Sequence, residues 1–356
     1  MKSPNILLSI VAAVAMTFGV STSSVQGQCT GDVIPSGIID GVDLAQLLVD
    51  WGPCANCPGD IDGDGAVTGN DLGQVLTGWG PCPPPVLPWA TVIEHDVDPA
   101  VVTDAAFRER MIATGLPWRI RDIASNIEML LVPAGTFTMG CSASTAYTCD
   151  SDETPTHQVT LTNAFYMGKT EVTQAQWTAK IGSNPSSFSG YSDSPSRPVE
   201  RVSWNMIASG STSFMSLTGL RLPTEAEWEY AYRAGTTTAF HSYPGQPYGF
   251  NDDTLLGNIA WNNSNSGSQT HAVGGKFANG LGLHDMAGNV WEWCQDWYGP
   301  YPSGSVTNPT GPTTGTYRLL RGGSWGYSSN FCRASDRRVT PGDVYYTVGF
   351  RVVRTP

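Results

Sequence analysis

Charge is what this chain has least of. Only 14% of its 356 residues are charged, where ordinary globular proteins carry about a quarter. Basic runs are absent and the formal net charge is −12, which argues against nucleic acid or another polyanion as a partner. Long apolar runs are absent beyond residue 20. The one apolar stretch, residues 6–20, follows Lys2, is short for a membrane span and precedes small residues. That is the pattern of a secretory signal cleaved near Gly27, with no membrane span left afterwards. A secreted, periplasmic or cell-surface location is expected. Several catalytic signatures are missing too. His95, His157, His241, His271 and His284 show no paired metal spacing. There is no nucleophile elbow, P-loop or dinucleotide fingerprint, and Ser324 sits in GGS without a GxSxG context.

What is abundant is turn chemistry, with 40 glycines and 25 prolines. It predicts a loop-rich fold. The eight cysteines are an even number, and export permits disulfides.

An internal repeat follows the signal. CTGD at Cys29 recurs as CPGD at Cys57, and each copy ends in WGPC, at residues 51–54 and 79–82. The second copy reads DIDGDGAVTGND over residues 60–71. It places oxygen ligands for calcium at Asp60, Asp62, Asp64, Thr68 and Asp71, adds the Ala66 carbonyl, and puts Gly65 at the sharp turn. The first copy has Ile34 and Ser36 in place of two carboxylates. Identical spacing within each copy suggests Cys29–Cys54 and Cys57–Cys82, although four cysteines allow three connectivities. Loop-plus-helix repeats of this kind resemble dockerin modules. The resemblance implies docking onto a cohesin-like or cell-surface protein; a calcium-stabilised spacer is the alternative. The division expected is 1–27 signal, 28–82 repeat module, 83–126 proline-rich linker and connecting segment, and 127–356 a large domain.

The large domain alternates short strand-like runs with turns, among them EMLLVPAGTFTMG and HQVTLTNAFYMGKTEVT. Its clearest helix lies in LPTEAEWEYAYRAG, residues 222–235, with Thr224 and Glu227 forming a capping box. PAGTFTMG, NPSSF, RPVERVSW, GLGLHDMAGNVWEW, RLLRGGSW and VGFRVV follow one another in an order that resembles the sulfatase-modifying factor, or formylglycine-generating enzyme, family. The resemblance implies an α+β domain, a variant of the C-type lectin fold with little regular secondary structure, beside the small α-helical calcium-loop module. It also implies two calcium sites. One would use the Asp285 and Glu292 side chains with the Gly288 and Val290 carbonyls. The other would start at Asn258 and Ile259 and draw on Asn265 and Gly267.

The family's oxidation of a substrate cysteine uses Cu(I), a soft ion held by two thiolates after RGGS. Here Tyr327 stands at the first thiolate position and Cys332 at the second. The RASDR that follows Cys332 matches the family's structural cysteine instead. Cys294 is then its expected disulfide partner, and Cys141 and Cys149 flank a short loop and are expected to pair. Cys332 and Ser324 remain the only catalytic candidates. The favoured expectation is a non-catalytic binder of a peptide or glycan through a calcium-stabilised domain, its groove walled by Trp291, Arg321, Trp325 and Tyr327. The alternatives are a formylglycine-generating oxidase that uses copper, and a structural part of an extracellular assembly held by the dockerin-like module.

Overall fold

Polar residues one turn ahead of an apolar run start a helix twice near the N-terminus. In the computed structural model, which describes residues 29–34, 38–54, 57–81, 86–141, 147–342 and 345–356, Asp40 caps Gly41–Val49. Its carboxylate accepts the Val42 amide at 2.7 Å, and Asp43 accepts the Asp40 amide at 2.9 Å. Thr68 and Asp71 cap Gly69–Thr77 in the same way. Strands are exchanged between the copies. Ile38–Ile39 pairs with Gly80–Pro81, and Gly52–Pro53 with Ala66–Val67. The two copies therefore form one unit around Val33, Ile39, Leu47, Val67 and Val75. So small a core stabilises little by itself, which gives covalent closure a large share. The expected signal peptide and Cys82 lie outside the described residues.

The cysteine pairing here differs from the expectation. Cys54 is bonded to Cys57, not to Cys29, so neither Cys29–Cys54 nor Cys57–Cys82 forms. The two Cα atoms, three residues apart in sequence, lie at 6.0 Å, within bridging range. Cys141 is bonded to Cys149.

Among the described residues, the large domain holds three larger sheets and a two-stranded parallel pair, Ala260–Trp261 with Ala287–Gly288. A five-stranded antiparallel sheet runs Val353–Arg354, Phe165–Gly168, Glu128–Val132, Arg119–Asp122, Ala90–Glu94. It joins the C-terminus to a segment expected to be a connector. Residues 90–122 therefore belong to the domain, whose boundary lies well before residue 127. The cause is apolar burial: Phe107, Met111, Trp118 and Ile120 are all in the main core. A four-stranded sheet runs Arg338–Thr340, Arg318–Arg321, Trp291–Trp297, Val348–Gly349, and a three-stranded one runs Val306–Thr307, His157–Leu161, Gly135–Met139.

Between these sheets sits the helix Glu225–Arg233. Thr224 caps it, and the Glu227 carboxylate accepts the Thr224 amide at 2.9 Å, as the motif predicts. One apolar face was expected, but eight of its nine residues are buried. Its acids survive burial because each meets a guanidinium. Glu225 takes Arg337 at 2.7 and 2.9 Å, and Glu229 takes Arg233 at 2.7 and 2.9 Å. Among the described residues, no helix is long and apolar enough to cross a membrane.

Candidate functional site

The strand Arg318–Arg321 ends in two glycines with φ of +95° and +76°. The second is needed for close approach: a Cβ on Gly323 would lie 2.8 Å from Cys332 Sγ and 2.8 Å from the Phe331 carbonyl. The glycine turn thus seals Cys332, which has no exposed surface. The Cys332 carbonyl accepts the Tyr232 hydroxyl at 2.7 Å. Burial, then the neighbouring Asp336, pushes the thiol far above its usual range, so it stays protonated. Tyr327 is 39% exposed and packs edge-on against Trp291 at 5.6 Å and Phe331 at 5.4 Å. A buried neutral thiol and a phenol do not fit Cu(I), which takes thiolates.

Cys294 and Cys332 do not form the expected disulfide; both are free and buried. They face different neighbours. Cys294 lies near Asp296, Glu225 and Arg321, and Cys332 lies beneath Gly323 beside Asp336. Ser324 is fully buried as well.

The expected groove wall is corrected in part. Arg321 is interior, paired with Glu229, 3.8 Å from Glu225, and donating to the Asp336 and Ala334 carbonyls at 2.5 and 2.8 Å. A guanidinium between two buried acids cannot also face a ligand. Trp291 is core, because the strand Trp291–Trp297 is flanked on both sides in its sheet. Trp325 is nearly buried, its indole N–H on the Tyr346 carbonyl at 3.2 Å and its ring 5.4 Å from Phe188. Of the four, Tyr327 alone presents substantial surface.

The loop 285–292 gathers more acid than its sequence shows. Asp285 accepts the Gly274 amide at 2.6 Å. Glu292 is gripped by Arg351 at 2.6 Å through each oxygen and accepts the Trp228 indole N–H at 2.7 Å. Glu171, distant in sequence, accepts the Val290 amide at 3.0 Å and the Asn289 side chain at 2.7 Å. Three buried carboxylates thus share one buried guanidinium. Burial, then Asp285 and Glu292, pushes Glu171 well above the carboxylate range, and burial pushes Asp285 up to about 6. These are hard oxygen donors of the kind a divalent cation takes, although Glu292 is already claimed by Arg351 and the three carboxylates do not converge on one point as Asp60, Asp62 and Asp71 do. Glu171 and Arg351 were missed from sequence. An arginine inside the apolar run VGFRVV was the available signal, since such a charge needs a buried partner.

The second expected calcium set is otherwise engaged. The Asn258 amide donates to the Tyr243 hydroxyl at 2.9 Å, and Asn265 bridges the Asn262 amide and Ala260 carbonyl at 2.8 and 2.9 Å. Ile259 is core and Gly267 is a turn residue at φ +62°. In the repeat module, carboxylate oxygens of Asp60, Asp62 and Asp71 lie within 4.8 Å of one another. Asp64 folds back onto the Ala66 amide at 2.9 Å, and Thr68 serves as the helix cap.

Residues 101–356 match the sulfatase-modifying factor enzyme 1-like domain. The chain is 31% identical over 286 residues to formylglycine-generating enzyme of Streptomyces coelicolor, covering 62% of this chain and 87% of that protein. Treponema denticola variable protein 1 superimposes with a TM-score of 0.56 at 32% identity, covering 65% of this chain and 95% of that one. PvdO from Pseudomonas aeruginosa gives 0.55 at 27% identity, with 67% and 98% covered. This mixed α/β protein, with its glycine-sealed RGGS turn, belongs to the sulfatase-modifying factor enzyme 1-like family.

Proposed function

We propose that this chain is a non-catalytic member of its family, a calcium-stabilised module that binds a peptide or glycan outside the cell. The observation that carries this is the RGGS turn: the one cysteine after it is sealed and protonated, and Tyr327 stands at the first thiolate position. Two disulfides fit an oxidising compartment. The name of the Streptomyces relative favours the other reading, oxidation of a sulfatase cysteine to formylglycine. That reading needs copper held by Cys332 and a ligand other than cysteine. The test is Cu(I) titration of the mature native chain against a competing chelator, with a cysteine-containing sulfatase peptide followed by mass spectrometry. We expect no copper retained and no change in the peptide; one copper per chain with peptide turnover would sink the non-catalytic reading.

Calcium is assigned to Asp60, Asp62, Asp64, Ala66, Thr68 and Asp71 in the module, and to the Asp285 loop in the large domain. In the module the carboxylate oxygens of Asp60, Asp62 and Asp71 converge, and in the large domain Glu171, Asp285 and Glu292 are buried beside Arg351. A ligand that binds only the folded state stabilises it by about 2.7 kcal/mol at a hundred times its Kd. Melting with EDTA is therefore expected several degrees below melting in millimolar calcium, and superimposable curves would remove both assignments.

A dockerin-like role for the module is supported by matching exposed positions in its two copies, Leu48 and Trp51 in one, Leu76 and Trp79 in the other. They offer an apolar face to a cohesin-like or cell-surface protein, and would make the chain part of an extracellular assembly.

A further inference from the structure

The segment that joins the large domain unexpectedly, residues 90–122, closes one side of a cavity of about 670 Å³. That is within the range of small-molecule sites, roughly 300–1,000 Å³. It lies apart from the RGGS turn: neither Cys332 nor Tyr327 lines it.

Its walls are rich in donors. Trp118 lines it while only 3% exposed, and its indole N–H is buried without a hydrogen-bond partner among the described residues. A buried N–H without an acceptor is costly, so an acceptor that reaches it, from water or from a ligand, is favoured. The chain has four lysines, and two of them, Lys169 and Lys276, line this cavity. On a protein of net charge −12 that concentration is local and cationic. Lys169 shares Glu128 with Arg119, from 3.4 Å. Lys276 has no carboxylate in ion-pair range among the described residues. It donates to the Gly257 carbonyl at 2.5 Å and lies 3.8 Å over the Trp261 ring. Of the acids at the cavity, Glu94 pairs with Arg119 at 2.8 Å, whereas Asp98 is exposed, accepts the Ala100 amide at 2.8 Å and keeps its charge at the rim.

Two further features restrict the ligand. His284 Nδ1 lies 2.8 Å from the Lys276 carbonyl, so it carries the proton and Nε2 is left to accept from a hydroxyl. Phe277 is half-exposed and stacked 5.4 Å from Tyr243, which keeps a flat apolar ring on the wall. A hydroxylated ring with an apolar C–H face meets both.

We infer that this cavity binds a carboxylate-bearing saccharide of the uronic acid class. Lys276 and Lys169 face the carboxylate, Trp118 donates to a ring or hydroxyl oxygen, and the pyranose lies on Phe277. The inference rests on the domain acting in recognition. The copper titration tests that reading, whereas the experiment below tests this cavity.

The full mature chain, in fixed calcium, is titrated calorimetrically with a β-glucuronosyl disaccharide, its neutral glucosyl counterpart and N-acetylglutamate. Saturable binding is expected for the uronide, at least about tenfold tighter than for the other two, since a charge-assisted hydrogen bond contributes about 1.5–3 kcal/mol. Lys276→Gln is part-exposed and spares the core; it is expected to weaken uronide binding about tenfold and leave the glucosyl sugar unaffected. Trp118→Phe removes the N–H and puts a smaller ring in the core, so its melting temperature is expected to fall, and a loss of uronide binding of similar size is read well below that temperature. No uronide binding, equal affinity for the neutral sugar, tighter binding of N-acetylglutamate, or indifference to both substitutions would each overturn the assignment.

Discussion

Arg321→Met is expected to cost the large domain about 3–5 kcal/mol, a large fraction of a total stability of roughly 5–15 kcal/mol. Arg321 is fully buried, and its charge is balanced by Glu229, also fully buried, with Glu225 at 3.8 Å. Its two end nitrogens satisfy the Asp336 and Ala334 carbonyls. Methionine fills much of the space but supplies no charge and no donor. Two acids are then left sharing Arg233 and Arg337, and two buried carbonyls lose their partners. The comparison is Arg121→Met on the outer sheet, where the side chain is half-exposed and its nearest acid oxygen is 3.9 Å away. That change should stay within about 0.5 kcal/mol. Urea unfolding of both variants decides the matter. A folded Arg321→Met protein with native stability would place this arginine back on a ligand-facing wall.

Gly288→Ala is the second large effect. Gly288 has φ +81°, and a Cβ there would lie 2.3 Å from the Trp261 carbonyl oxygen and 2.8 Å from its nitrogen. These are backbone atoms of the paired strand Ala260–Trp261, held by Asn289 N–H to Trp261 O at 2.8 Å, and cannot swing aside. Gly182 is the control, with φ +82° but nothing within 4 Å of its Cβ position. Gly182→Ala should cost about 1–2 kcal/mol, the price of a left-handed alanine. Gly288→Ala adds overlap to that strain and separates the pairing beside the Asp285 loop, so a loss of more than about 3 kcal/mol is expected. Equal melting temperatures for the two alanine variants would show that the close approach is relaxed in solution.

Local features were legible. Thr224 and Glu227 cap their helix where their spacing implies. A capping box spans three residues, and the chain sets that distance by itself. The family was legible for a related reason: RGGSW and DMAGNVWEW mark turns whose glycines are required by close backbone approach. The connector was misread because Ala90–Glu94 has an unremarkable pattern and earns its place through pairing with Arg119–Asp122. Cys54–Cys57 was misread because equal spacing within repeats suggested separate copies, while the strands cross between them.

The sequence by itself determined the helix caps, the repeat, the family and the loss of a thiolate pair after RGGS, all properties of residue identity at short separation. Tertiary structure alone decided where charge is neutralised. Arg321 meets Glu229 across 92 residues, Arg333 meets Glu153 across 180, and Glu171 reaches Val290 across 119. Periodicity reports only neighbours a few residues apart. A buried charge answers to whichever partner the fold brings within about 3 Å, because desolvation is costly unless it is offset there. The same rule turned an expected ligand-facing arginine into an interior one.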